Sequence, residues 1–330
     1  MIWLQFLLSS TVIVLAAQRL AQYGDVIAVR TRVGGMFVGT LLLALATSLP
    51  ELLTMIAALG EELPSMAAGN IFGSCMFNMF LLAVLDTTHR HVRLLRSVFF
   101  SHAIGGTLAI LMAAATVFFV MADLPWALGW LGIDSLILMA IYLGGVMLLR
   151  SAGPGDTMTP QEGAPVVGLP PLWQGIVGFV LASGVLVAVT PFLVSSAAEI
   201  AEITGVSAGF VGAFALAIVT SLPEAVTTIS AIRIGAYDMA VGNLFGSNVF
   251  NIFALAFTDL FYTQGRFLGA IDDQMLLAAM LGLVLTALGL LGNVSRIERR
   301  LSFVEIDAAL ITVVYVLGLG LLFARGVPVG

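Results

Sequence analysis

Residues 46–51 read Ala-Thr-Ser-Leu-Pro-Glu and residues 219–224 read Val-Thr-Ser-Leu-Pro-Glu. A second matched pair follows, Gly-Asn-Ile-Phe-Gly-Ser-Cys-Met-Phe-Asn at 69–78 and Gly-Asn-Leu-Phe-Gly-Ser-Asn-Val-Phe-Asn at 242–251, and the offset is 173 residues throughout. A polar, acid-bearing block written twice in an otherwise oily chain is hard to explain by packing. It points to a symmetric ion site inside a membrane.

The surrounding composition sets the class. With 60% hydrophobic and 10% charged residues and a mean hydropathy of +1.10, the chain has too little polar surface for a soluble globule. At about 20 apolar residues per span, ten segments are expected at 2–22, 34–59, 65–86, 97–120, 127–149, 173–196, 206–231, 238–261, 273–293 and 303–324. These runs are too long for barrel strands of about 10 alternating residues. The expected fold is therefore an all-α integral membrane protein of ten transmembrane helices. The first run lacks a preceding positive residue and a clear cleavage site, so it is read as a span and not as a signal peptide.

The longest connection, 151–172, carries Gly153, Pro154, Gly155, Pro160, Pro165, Pro170 and Pro171, the composition of an irregular linker. It divides a first half, 1–150, from a second half, 173–330. Five spans per half is an odd number, so equivalent helices cross the membrane in opposite senses and the repeats are inverted. All thirteen basic residues are arginines, and ten of them (30, 32, 90, 93, 96, 150, 233, 296, 299 and 300) fall in alternate connections. The positive-inside rule then puts those connections and the linker in the cytoplasm and both termini outside, in the cell (inner) membrane. Only Arg266 and Arg325 lie on the other side.

Within the repeat, Thr47 and Glu51, like Thr220 and Glu224, are four residues apart and share a helix face. Pro50 and Pro223 lack an amide hydrogen, which kinks the helix and frees carbonyl oxygens beside the carboxylates. Asn70, Ser74 and Asn78 recur every four residues, as do Asn243, Ser247 and Asn251. The donor set is two carboxylates, the hydroxyls of Thr47, Ser48, Ser74, Thr220, Ser221 and Ser247, the amides of Asn78 and Asn251, and backbone carbonyls. Such oxygens suit Ca²⁺, which takes about 6–8 of them, or several Na⁺; no histidine or thiolate set favours zinc or copper. Other features have blander readings. The pairs Gly69/Gly73 and Gly242/Gly246 read as close helix packing. Asp86 and Asp259, also 173 apart, read as span-end residues, Glu199 and Glu202 as solvated acids, the His89–Arg96 stretch as a topology anchor, and Cys75 as packing.

These blocks resemble the alpha-repeats of the cation/Ca²⁺ antiporter superfamily, most closely its Na⁺/Ca²⁺ exchanger branch. The residues that carry the likeness are Thr47 to Glu51, Gly69-Asn70, Gly73-Ser74 and Phe77-Asn78, then Thr220 to Glu224, Gly242-Asn243, Gly246-Ser247-Asn248 and Phe250-Asn251, within repeats spanning about 37–86 and 210–259. The resemblance implies that Glu51 and Glu224 coordinate Ca²⁺ and Na⁺. Thr47, Ser48, Thr220, Ser221, Ser74, Ser247, Asn78 and Asn251 would complete adjacent sites, with the carbonyls of Ala44 and Ala217 binding Na⁺. It further implies that helices 2–22 and 173–196 slide across the other eight. Asn251, where some members carry Asp, argues against a K⁺ requirement, and Cys75 stands where the second repeat has Asn248.

The expected activity is secondary antiport of Na⁺ against Ca²⁺ by alternating access at one midplane site. Ca²⁺/H⁺ exchange is the near rival, since buried glutamates can accept protons. A passive cation channel is a rival of another class. An intramembrane enzyme is disfavoured, because neither a Ser/His nor an Asp/Asp catalytic arrangement occurs. No cofactor and no nucleic-acid partner are expected; the partners are Ca²⁺, Na⁺ or H⁺ and the lipid bilayer, and the unit is expected to work as a monomer.

Overall fold

The first apolar run folds into α1, Ile2–Thr31, which continues nine residues past the expected span. The structure is a computed structural model that describes residues 1–31, 47–88, 94, 100–151, 170–295, 300–301 and 304–326. The other helices are α2 (Leu49–Gly60), α3 (Pro64–Thr88), α4 (Phe100–Ala122), α5 (Ile133–Ser151), α6 (Leu172–Thr204), α7 (Ala208–Thr220), α8 (Leu222–Arg233), α9 (Tyr237–Thr258), α10 (Asp273–Ser295) and α11 (Ile306–Gly326). Two-residue hairpins join α4 to α5 (Ala127 paired with Gly132) and α10 to α11 (Arg300 paired with Glu305). The fold is thus helical, as composition demands.

Among the described residues, seven helices are long and apolar enough to cross a membrane, and the bent pair α7–α8 supplies an eighth candidate. The helices α2 and Ile133–Leu149 within α5 are apolar but shorter. The expected span 34–59 overlaps residues outside those described, as do the start of span 97–120, most of the linker and the His89–Arg96 anchor.

Burial sorts the helices into two groups. Helix α3 has 83% of its most apolar window buried and α9 has 72%, against 22% for α6 and 28% for α11. The first two form the centre. Helix α3 packs on α2, α7, α9, α10 and α11, and α9 packs on α3, α4, α5 and α8. At 33 residues and about 1.5 Å per residue, α6 is longer than the roughly 30 Å apolar layer needs, so it must tilt or project. Helix α1 lies along α6 for most of its length, and both turn leucines, valines and tryptophans (Trp3, Leu7, Leu15, Trp173, Val180, Leu181) outward to lipid. Small residues let the two helices approach: a side chain at Gly178 would overlap the Tyr23 ring. Gln5 Nε2 donates to the Phe192 carbonyl at 3.1 Å near one end of the pair, and Arg30 Nε to the Pro170 carbonyl at 3.0 Å near the other.

The same closeness governs the centre. A Cβ at Gly69 would overlap the carbonyl of Gly209, and one at Gly73 the carbonyl of Ala213, so α3 and α7 meet backbone to backbone. Within α7, residues Gly212–Leu216 form a π-helical turn, a local widening often found near functional sites.

The proline blocks produce breaks sharper than kinks. Ser221 (φ −88°, ψ 2°) leaves the helical region, α8 starts at Leu222, and α7 and α8 are bent by 41°. Ser48 (φ −94°, ψ 7°) precedes α2 in the same way. Each proline then occupies the first turn of a new helix, where its missing amide costs nothing.

A charged clip closes one end of the bundle. Arg266 donates to Asp134 Oδ2 at 3.1 Å and to Asp123 Oδ1 at 2.5 Å. Asp259, fully buried, accepts from the amides of Gly132 (2.8 Å) and Phe267 (2.6 Å). Asp259 is thus a loop organiser, as its span-end reading expected, and Arg266, an exception to the arginine pattern, has carboxylate partners. Asp86 is buried with its own partner, whereas Glu199 and Glu202 are exposed.

Because the obstruction at Gly73 is backbone, which cannot rotate away, Gly73→Val is expected to cost more than about 1–3 kcal/mol, the usual range of overpacking. A thermal unfolding midpoint in detergent close to that of the parent protein would contradict this packing.

Candidate cation site

The breaks at Ser48 and Ser221 aim the first turns of α2 and α8 at each other. Ser48 Oγ donates to Glu224 Oε1 at 3.0 Å, and Ser221 Oγ donates to Glu51 Oε1 at 3.1 Å. Each serine sits three residues before its own glutamate yet serves the glutamate of the opposite block. Both carboxyls are 1% exposed. The two acids therefore share one interior region and do not face hydrocarbon.

Helices α3 and α9 line that region. Asn70, Ser74 and Asn78 on α3, and Ser247, Asn248 and Asn251 on α9, are all buried. Thr47 and Thr220 are buried as well. Thr220 Oγ1 donates to Asn70 Oδ1 at 3.1 Å, and Asn70 Nδ2 reaches the Glu51 carbonyl at 3.4 Å. The stripes expected from four-residue spacing differ at one place: Asn243 turns to Thr228 Oγ1 at 3.1 Å and is only part-buried. Ala217 is buried, and its carbonyl accepts from Ser221 N at 3.1 Å. Ala44 lies outside the described residues.

Among the described residues, the buried side-chain polar atoms without a hydrogen-bond partner are Glu51 Oε2, Glu224 Oε2, Ser74 Oγ, Ser247 Oγ, Asn78 Oδ1, Asn251 Oδ1, Thr54 Oγ1, Ser135 Oγ and Asn293 Nδ2. The first six are oxygens, and they form three pairs at the 173-residue offset. Buried polar atoms are normally paired. Leaving six acceptor-capable oxygens unpaired in one region is costly unless a ligand satisfies them. No group of three or more His, Cys, Asp and Glu side chains comes together among the described residues, so the chemistry offered is that of hard oxygen donors.

Three contacts and one unpartnered hydroxyl were not foreseen from sequence. Asn248 joins Asn78 at 3.0 Å and Thr286 of α10 at 3.2 Å. Cys75, expected to be mere packing, has its thiol 4.0 Å from Asn251 Nδ2. Thr54, one turn beyond Glu51, keeps an unpartnered hydroxyl. For Thr286 the available signal was a lone hydroxyl in the oily run of 273–293. Such residues usually bond their own helix, and Thr286 does so at Gly282 while also accepting from Asn248.

Comparison with known proteins agrees with this architecture. The sequence profile of the family described as "Sodium/calcium exchanger protein" matches residues 1–150 and 174–324. The protein named "Putative antiporter CaxA" of Alkalimonas amylolytica is 29% identical over 308 residues, covering 89% of this chain and 91% of that protein. Among solved structures, an H⁺/Ca²⁺ exchanger CAX superposes with a TM-score of 0.69 at 15% identity, covering 97% of this chain and 88% of that one. The sodium-calcium exchanger NCX_Mj does so at 0.62 and 20% identity, covering 97% and 99%. At these identities the structures establish the shared fold, while the profile covers most of the chain. The chain belongs to the sodium/calcium exchanger protein family, and it is a membrane antiporter and not an enzyme.

Proposed function

We propose that this protein is a secondary antiporter that exchanges Na⁺ for Ca²⁺ by alternating access at one shared midplane site. The carrying observation is the set of six unpartnered buried oxygens in three repeat-related pairs. The ligands would be Glu51, Glu224, Ser74, Ser247, Asn78 and Asn251, with Thr47, Ser48, Thr220, Ser221 and the carbonyls of Ala44 and Ala217 completing adjacent Na⁺ positions. Two carboxylates balance one Ca²⁺ or two Na⁺, which offsets most of the desolvation cost of either partner alone. An empty dianionic site in low dielectric is costly to move. Neutralisation by one cargo or the other therefore couples the two fluxes.

Adding the shorter helices α2 and α5 to the eight candidate spans makes ten, read as two inverted five-helix halves, 1–150 and 173–330, joined by a cytoplasmic linker at 151–172. Both termini would then be extracytoplasmic. The long, lipid-facing pair α1 and α6, clasped to each other along their lengths, is suited to slide as one body over the rest, which exposes the site to each side in turn. The working unit is read as a monomer. Na⁺ is favoured as counter-ion by the family to which the chain belongs. The fold shared with an H⁺/Ca²⁺ exchanger keeps proton coupling as the second reading.

In proteoliposomes, an outwardly directed Na⁺ gradient should drive ⁴⁵Ca²⁺ uptake, and Glu51→Gln or Glu224→Gln should abolish it; full transport in both variants would remove the site. Uptake driven by a pH gradient alone, with none from Na⁺, would select proton coupling. Omitting K⁺ is expected to leave Na⁺-driven uptake unchanged, given Asn251. Ser48→Ala and Ser221→Ala each delete one hydrogen bond to a carboxylate, a contact of about 1.5–3 kcal/mol, so each should shift cation affinity about 10–100-fold. Calorimetric titration with Ca²⁺ reads that shift directly.

A further inference from the structure

The two asparagines that present unpartnered carbonyl oxygens are not held alike. Asn78 stands at the end of a buried chain of hydrogen bonds whose polarity is set from its far end. The Gly282 carbonyl can only accept, so Thr286 Oγ1 donates to it at 2.7 Å. With its proton committed, Thr286 presents a lone pair, which accepts from Asn248 Nδ2 at 3.2 Å. The same amide nitrogen also donates to the Cys75 carbonyl at 3.2 Å, a second strict acceptor. Asn248 must therefore turn Oδ1 toward Asn78, which donates to it through Nδ2 at 3.0 Å. The remaining atom of Asn78 is Oδ1, buried and without a partner. Every side chain in the relay is at most 2% exposed.

The first half of the molecule lacks both links. Cys75 stands 173 residues before Asn248, and Ala113 stands 173 before Thr286. Among the described residues, the Asn251 amide nitrogen accordingly meets only the Cys75 thiol, at 4.0 Å, a weak acceptor that itself donates to the Asn248 carbonyl at 4.0 Å.

We propose that Thr286 and Asn248 are positioning residues that lock the Asn78 amide with its carbonyl oxygen toward the cation, while Cys75 leaves the equivalent Asn251 amide unlocked. The inference rests on the reading of Asn78 as a ligand. Without the relay, the Asn78 amide is free to rotate its NH₂ into a cationic site, where it repels. Partners one step behind a metal ligand commonly matter by about 10–100-fold in affinity. The site is then asymmetric in stiffness although near-symmetric in composition.

The test is Thr286→Val, which keeps the side-chain shape and removes the hydroxyl, assayed in proteoliposomes by ⁴⁵Ca²⁺ uptake over a range of Ca²⁺ concentrations. The expected result is a rise of about 10-fold or more in KM for Ca²⁺ with maximal rate and thermal midpoint little changed. Thr286→Ser should restore the parent KM, and Thr286→Val should add nothing in an Asn78→Ala background. Asn248→Ser, which breaks the middle link, should act as Thr286→Val does if the latter fails to fold. A normal KM in Thr286→Val beside an impaired Asn78→Ala would overturn the relay alone. An unimpaired Asn78→Ala would overturn the ligand reading beneath it, and a lowered thermal midpoint without any change in KM would mark Thr286 and Asn248 as packing only.

Discussion

Two carboxylates stand in the interior of an oily bundle with a serine of the opposite block bonded to each, and the rest of the architecture answers to that burial. An ionised carboxylate without compensation is among the costliest groups to place in low dielectric. Arg266, the cation whose ion pairs are described, serves Asp123 and Asp134 at one end of the bundle. What surrounds the glutamates instead is neutral and oxygen-rich. Such a lining is a poor permanent partner for a negative pair and a good temporary cage for a cation.

Local backbone choices make the cage possible. Pro50 and Pro223 interrupt their helices, so the first turns of α2 and α8 begin at the site, and Ser48 and Ser221 become helix-leading residues free to reach across. Glycines at 69 and 73 bring α3 against α7 at backbone distance, which draws the amide and hydroxyl stripe of α3 into the centre. A bundle built with ordinary side-chain spacing would hold these groups too far apart to serve one ion. The outer helices α1 and α6 touch each other more extensively than either touches the core.

Much of this was legible beforehand. Mean hydropathy and run length dictated membrane helices, because unsatisfied backbone cannot be exposed to lipid. The exact repetition of Thr-Ser-Leu-Pro-Glu identified the acids, and the four-residue spacing of Asn70, Ser74 and Asn78 put them on one buried face. Of the glycine pairs read as close packing, Gly69 and Gly73 meet backbone as expected, whereas a Cβ at Gly246 would stand in open space. Less was legible where one residue serves two neighbours: Asn243, matched to Asn70 by position, turns to Thr228, and span lengths fell short for α1 and α6, whose ends run on past the apolar stretch.

The sequence by itself determined composition, periodicity and duplication, and with them the class of fold, the identity of the buried acids and the oxygen-rich character of the residues around them, since those depend only on residue type and spacing along a helix. Tertiary structure alone decided who meets whom: that Ser48 serves Glu224 and Ser221 serves Glu51, that Thr286 of α10 stands behind Asn248, and that the Cys75 thiol lies beside the Asn251 amide. The physical reason is that a hydrogen bond is set by distance and direction across helices far apart in the chain, and periodicity along a single helix carries no information about its neighbour's rotation.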